Sequence, residues 1–312
     1  MHPIRSYSPH EPQEAIWFEQ SIMLGTFVGA IAYGMHVIIY FATIIHIYKN
    51  SRVSFLSTMF ATVLFGLGTV NIASNIRFNE MIWILDRDYP GGPFAFIQQQ
   101  EALATRTEDI LGNSVTIIAT CMADGLLLYR YFVVWNQRMQ YLIIPGMLYL
   151  ASITFSVLFI LQVSQPNANG LWARTTFDFG VPYWALTMSL NIILTLMIVS
   201  RLFFLRRLAV TCIGSAHGKM YTNIAAIIIE SALPYGLVSF IFIVLYAMRN
   251  TGENLFIPLL AQVQCISPEL IVLQVARGHA WSKSTMAEPS LPEMQFTTHP
   301  MIDQAPEITH QC

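Results

Sequence analysis

The sequence predicts an all-α polytopic membrane protein, a bundle of seven transmembrane helices with its N-terminus outside and its C-terminus in the cytosol. The first observation is a set of seven apolar runs, each about 19 to 27 residues long, beginning near Ile22, Phe55, Ile110, Tyr141, Tyr183, Ile224 and Phe256. A helix rises about 1.5 Å per residue, so about 20 residues cross a hydrocarbon core of about 30 Å. The second is composition: charged residues are 11% of the chain, against roughly 25% in soluble domains, and mean hydropathy is +0.52. The third is charge placement, which sets the orientation. The chain of 312 residues divides into a short outer segment 1–21, a membrane domain 22–277 and a cytosolic tail 278–312.

The first segment is polar and holds Pro3, Pro9 and Pro12, which does not fit a cleaved signal peptide. Orientation follows Lys and Arg near the span ends. One set of connections and span ends carries Lys49, Arg52, Arg130, Arg138, Arg201, Arg206, Arg207, Lys219, Arg277 and Lys283, and the other carries Arg5, Arg77, Arg87, Arg106, Arg174 and Arg249. The richer set is read as cytosolic. The longest outer connection, from about Ser74 to Asp109, contains Tyr89-Pro90-Gly91-Gly92-Pro93. That turn cannot continue a helix and predicts a tight reversal. Phe94 to Glu108 after it reads as helix, extending span 3. The tail is rich in Ser, Thr, Pro and Glu and reads as disordered.

Span 3 is the most polar. Asp109, Asn113, Thr116, Thr120 and Asp124 are spaced 4, 3, 4 and 4, which puts them on one helical face. Such a stripe is costly against lipid and should face the bundle or a water-filled cavity. Span 1 has Gly29, Tyr33, His36, Tyr40 and Thr43 on one face, and span 5 has Thr187, Asn191 and Thr195. Span 6 carries Asn223, Glu230 and Pro234 on one face with Ser231 alongside, and span 7 carries Gln262 and Glu269, with Pro268 just before the acid. Pro234 lacks the N–H that would bond the carbonyl of Glu230. Asp124, Glu230 and Glu269 are all expected about 9–15 Å from the cytosolic boundary. Three acids in one layer cannot all be ionised without compensation. The layer reads either as a proton or cation site, or as a set of interhelical hydrogen bonds with Arg130, about two turns below Asp124, pairing to one acid. Arg130, Pro234 and Pro268 are the candidate switch residues. Arg201, Arg206, Arg207 and Lys219 are the candidate cytosolic coupling residues.

Several chemistries are disfavoured. Lys49, Lys219 and Lys283 are the chain's lysines, and all fall outside the span cores, so no retinal Schiff base is expected. His36 and His46 form no His-x-x-x-His pair, and no set of three convergent metal ligands is visible, so neither metal nor cofactor is expected. No nucleophile–base motif suggests an enzyme, and no basic stripe suggests a nucleic-acid partner. None of Cys121, Cys212, Cys265 and Cys312 falls in an outer loop, and no Asn-x-Ser/Thr sequon occurs. Tyr129-Arg130-Tyr131 ends span 3 somewhat as Asp/Glu-Arg-Tyr does in G-protein-coupled receptors, without the acid. Ser267-Pro268-Glu269 stands where those receptors carry Asn-Pro-x-x-Tyr.

Three stretches together carry a closer likeness: Asp86-Arg87-Asp88-Tyr89-Pro90-Gly91-Gly92-Pro93, Asp124-Gly125-Leu126-Leu127-Leu128-Tyr129-Arg130-Tyr131 ending at Val134-Trp135, and Glu230-Ser231-Ala232. Over residues 20 to 277 the chain resembles a group of seven-span integral membrane proteins of mushroom-forming (basidiomycete) fungi. That resemblance implies a fungal membrane protein and marks Asp124, Arg130 and Glu230. It implies no activity. The expected function is a receptor-like sensor with a small-molecule or ion ligand and a cytosolic signalling partner. The alternatives are a proton- or ion-coupled transporter using Asp124, Glu230 and Glu269, or a structural protein whose partner is the lipid bilayer. Span length fits the plasma membrane and a vacuolar membrane equally.

Overall fold

The computed structural model describes residues 12–49, 55–85, 88–90, 92–103, 107–164, 178–212 and 215–276. Within these stretches the side chains of 98–103, 107–110, 209, 212, 215–220 and 275 are not described. The helices are α1 Gln13–Lys49, α2 Phe55–Glu80, α3 Gly92–Leu103, α4 Thr107–Val134, α5 Met139–Ser164, α6 Gly180–Cys212, α7 Ser215–Ala247 and α8 Glu253–Ala276. One π-helical turn, Met81–Leu85, continues α2. Among the described residues no strand occurs. Among the described residues seven helices are long and apolar enough to cross a membrane: α1, α2, α4, α5, α6, α7 and α8, which are spans 1 to 7. The chain is an integral, multi-pass, all-α protein. The expected disordered tail 278–312 lies outside the described residues.

The spans close into a ring in chain order, with α8 returning to α1. α8 also packs on α2 and α4, and α4 on α6. This makes α8 the most enclosed span. Of its most apolar window 67% is buried, against 22–39% in the others. The composition of α8 requires this, because Gln262, Gln264 and Glu269 spread polar groups around the helix, and lipid cannot satisfy them. Two glycines set the close approach of α1 to α8. A Cβ on Gly25 would collide with the main-chain carbonyl of Asn254, and one on Gly29 would lie 2.6 Å from the Pro258 side chain. Gly25, Gly29, Ala32 and His36 follow one face of α1, so the contact that admits the glycines also presses His36 against α8.

One element differs from expectation. α1 starts at Gln13, nine residues before the apolar run at Ile22. The extra turns persist because α3 covers them. The Phe94 N–H donates to Glu19 Oε1 at 3.0 Å, Phe18 meets Phe94 edge-on at 5.4 Å, and Ile82, Phe96 and Ile97 form a cluster with Phe18, Ile22 and Trp83. The helix expected after the reversal is present as Gly92–Leu103 and again from Thr107, and residues 104–106 lie outside the described set. The reversal itself is present: Gly92 donates its N–H to the Tyr89 carbonyl at 2.9 Å and has φ 77°, a conformation that glycine adopts without steric cost.

Asp178 caps α6, its Oδ1 accepting from the Gly180 N–H at 2.9 Å, which satisfies one of the unpaired donors at a helix start. Tyr246 near the end of α7 donates its O–H to the same oxygen at 3.0 Å, fastening α7 to α6. The opposite, basic end of the bundle carries the exposed Lys49, Arg138, Arg206 and Arg207.

Candidate functional site

α8 carries polar residues on two opposite faces, and a separate polar site lies against each. With 3.6 residues per turn, Gln262 and Glu269 share one face, while Gln264, Ser267 and Pro268 lie about half a turn away.

On the first face, His36 of α1 is fully buried and lies between Gln262 and Glu269, both also fully buried. Gln262 Nε2 donates to the main-chain carbonyl of Gly68 in α2 at 2.9 Å. A carbonyl can only accept, so this bond fixes the amide orientation and leaves Gln262 Oε1 facing His36 Nδ1 at 3.1 Å. Nδ1 must therefore carry hydrogen. His36 Nε2 stands 3.2 Å from Glu269 Oε1, within ion-pair distance, although neither atom has a partner in hydrogen-bond geometry; a small rotation of the carboxyl would let one proton bridge them. The chain Gly68–Gln262–His36–Glu269 thus ties α2, α8 and α1 together. Gly68 is required, because a Cβ there would lie 2.8 Å from His36 Cε1 and 3.1 Å from Gln262 Oε1.

On the second face a cavity opens between α4, α6, α7 and α8. It is lined by Asp124, Arg130, Asn191, Ser231, Gln264 and Pro268, with Tyr235 and Ser267. Asp124 and Gln264 are 3% and 2% exposed. Asp124 Oδ2 and both polar atoms of the Gln264 side chain have no hydrogen-bond partner. Pro268 has no N–H for the carbonyl of Gln264, four residues earlier, which adds another acceptor. Buried polar groups are normally satisfied, so this wall is built to receive polar atoms. Among the described residues no ion pair joins Asp124 to Arg130; they line the same cavity from successive turns of α4. Ser231 and Ser267 donate to the carbonyls of Ile228 and Val263 at 3.0 Å each, which leaves their oxygen lone pairs as acceptors.

The three acids predicted to form one layer do not converge. Glu269 pairs with His36, Asp124 enters the cavity, and Glu230 lies on the exposed face of α7, as does Pro234. It is Ser231, one residue on, that points inward. The expectation failed for Glu230 because adjacent residues on a helix differ by about 100°, and the inward face of α7 runs through Ile228, Ser231 and Tyr235. Thr120 is buried and donates to the Thr116 carbonyl at 2.8 Å, while Thr116 accepts from Asn71 Nδ2 at 2.9 Å, so the upper α4 stripe meets α2. Asn113, in that stripe, is partly buried. The side chain of Asp109 lies outside the described residues.

The proposed coupling residues divide. Arg206 and Arg207 are exposed. Arg201 is partly buried, its guanidinium 5.4 Å from the ring centres of Trp135 and Phe204, so it braces the α4–α5 turn by cation–π contact. The side chain of Lys219 lies outside the described residues. Gly68 and Gln264 were not foreseen. Gln264 had a signal, an amide in an apolar run four residues before a proline. Gly68 had none, because its role depends on a neighbour 194 positions away. Among the described residues no group of three His, Cys, Asp or Glu side chains is arranged to hold a metal ion. No protein-family model, curated protein or solved structure matches this chain.

Proposed function

We propose that the chain is a receptor-like membrane sensor whose change of state works through the cavity between α4, α6, α7 and α8. The observation that supports this reading is the cavity wall: unpartnered Asp124 and Gln264 beside a proline-weakened turn of α8. A turn lacking one main-chain hydrogen bond bends at lower cost than its neighbours. A ligand or proton that engages the wall can therefore shift α7 against α8. The basic end, with exposed Arg206 and Arg207, is read as cytosolic by the positive-inside rule and as the face that meets a signalling partner. The reading assigns the chain no catalytic step. The membrane it occupies in a fungal cell is the plasma membrane or an endomembrane.

Ligand-dependent capture of a cytosolic partner on nanodiscs tests the proposal. Capture should be lost when Arg206 and Arg207 are both changed to alanine, and the ligand response should be lost in Asp124→Asn with basal capture kept. A response undiminished in Asp124→Asn would sink it. A second reading, a proton- or ion-coupled transporter, draws on the buried His36–Glu269 pair and on Asp124, without Glu230. It requires pH-dependent flux in proteoliposomes that Asp124→Asn abolishes.

A further inference from the structure

Glu230 is exposed on α7 and makes no hydrogen bond within the bundle among the described residues. Glu230 lies six residues, about 9 Å, inside the apolar run of α7 that begins at Ile224, and so about 6 Å from the middle of the hydrocarbon. The half-thickness of the hydrocarbon is about 15 Å. The remaining distance of about 9 Å to the nearer headgroup boundary exceeds the reach of a glutamate side chain. Asn223, on the same face, lies about 16 Å from the middle, where headgroup water reaches it. Glu230 therefore needs a partner within the hydrocarbon, and none of the described residues of its own bundle provides one.

We infer that this face of α7 docks on the same face of a second copy of the chain, around a two-fold axis along the membrane normal. Copies in one membrane share an orientation, so such an axis sets equal residues opposite each other at equal depth. The occupant of the face must then be self-complementary at Glu230, and this turn is. In its acid form the carboxyl donates one hydrogen bond and accepts others. Pro234, exposed on the same face, has no N–H for the main-chain carbonyl of Glu230. Each copy thus presents one donor and one unsupplied acceptor on a single turn, and the two-fold closes two reciprocal bonds, carboxyl of one copy to carbonyl of the other. Ala226, one turn below and also exposed, lets the helix backbones approach as small residues do in membrane helix pairs. Leu233 and Leu237, 54% and 59% exposed, lie on the same stripe.

Subunit counting by single-molecule photobleaching of the full chain in lipid bilayers, across a dilution series, reads the association. Wild type should dimerise. Glu230→Leu, which suits lipid and leaves the bundle interior untouched, should weaken dimerisation roughly tenfold or more. Glu230→Gln, which still donates and accepts, should keep it within a few-fold. Leu237→Cys should crosslink to itself, whereas Leu150→Cys on α5, 64% exposed, should not. A monomeric wild type, dimerisation unchanged in Glu230→Leu, Glu230→Gln as damaging as Glu230→Leu, or crosslinking of Leu237→Cys only to a different protein each overturns the inference.

Discussion

Glu269→Ala tests the proton arrangement at His36 directly. The substitution removes the carboxyl that stands 3.2 Å from the fully buried His36 Nε2 and is the nearest group able to share a proton with it. An unsatisfied buried polar atom costs about 1–3 kcal/mol. If the pair carries opposite charges, breaking it costs about 3–5 kcal/mol. Loss of packing adds to either figure, so at least about 2 kcal/mol is expected. Glu269→Gln is nearly isosteric and can donate its amide hydrogen to Nε2. Nδ1 is already committed as donor to Gln262, so the ring stays neutral and satisfied, and the cost should stay below about 1 kcal/mol. Denaturant midpoints for the three proteins, measured in mixed micelles under one set of conditions, give the differences. The expected order is wild type close to Glu269→Gln, with Glu269→Ala well below both. Equal losses for Gln and Ala would refute the assignment of a single proton between His36 and Glu269. No loss for Ala would refute the pair as a source of stability.

Other substitutions follow from contacts already described. Gly68→Ala drives a methyl to 2.8 Å from the His36 ring and should cost about 1–3 kcal/mol through overpacking, visible as a lower denaturant midpoint in the same micelles. Gly25→Ala meets the main-chain carbonyl of Asn254, which cannot rotate away, so α1 should separate from α8; amide hydrogen exchange in the first half of α1 should rise. Tyr246→Phe removes the O–H donated to Asp178 and should cost about 1 kcal/mol, whereas Asp178→Ala also uncaps α6 and should cost about 1 kcal/mol more. Equal costs for these two would contradict the capping role, and thermal unfolding in detergent is enough to compare them.

The number of spans is legible in the sequence because apolar length is a local property. Direction is harder to read. A soluble helix shows its inward face by apolar residues. In a membrane the outward face is apolar as well, so Ile229, Leu233 and Leu237 on the lipid side look no different from Ile228 and Phe242 on the inner side. Only polar residues mark direction, and they do so on the assumption that each faces the bundle. That assumption holds for His36, Asp124, Gln262 and Glu269 and fails for Glu230. The polar N-terminal turns of α1 carry no apolar signal, since what keeps them helical is α3, a contact 75 residues away in the chain.

The placement of both polar sites on α8 has a mechanical consequence. Gln262 and Glu269 hold one face of α8 to α1 and α2, while Gln264 and Pro268 form part of the cavity wall on the other face. Glu269 directly follows Pro268, the residue that leaves the Gln264 carbonyl without its helical donor. A rotation of α8 about its axis therefore moves both sets of side chains together. A rotation that carries Gln264 away from Asp124 also changes the angle at which Glu269 meets His36. The two sites share opposite faces of α8, so any coupling between them can run through this one helix without a path through the rest of the bundle.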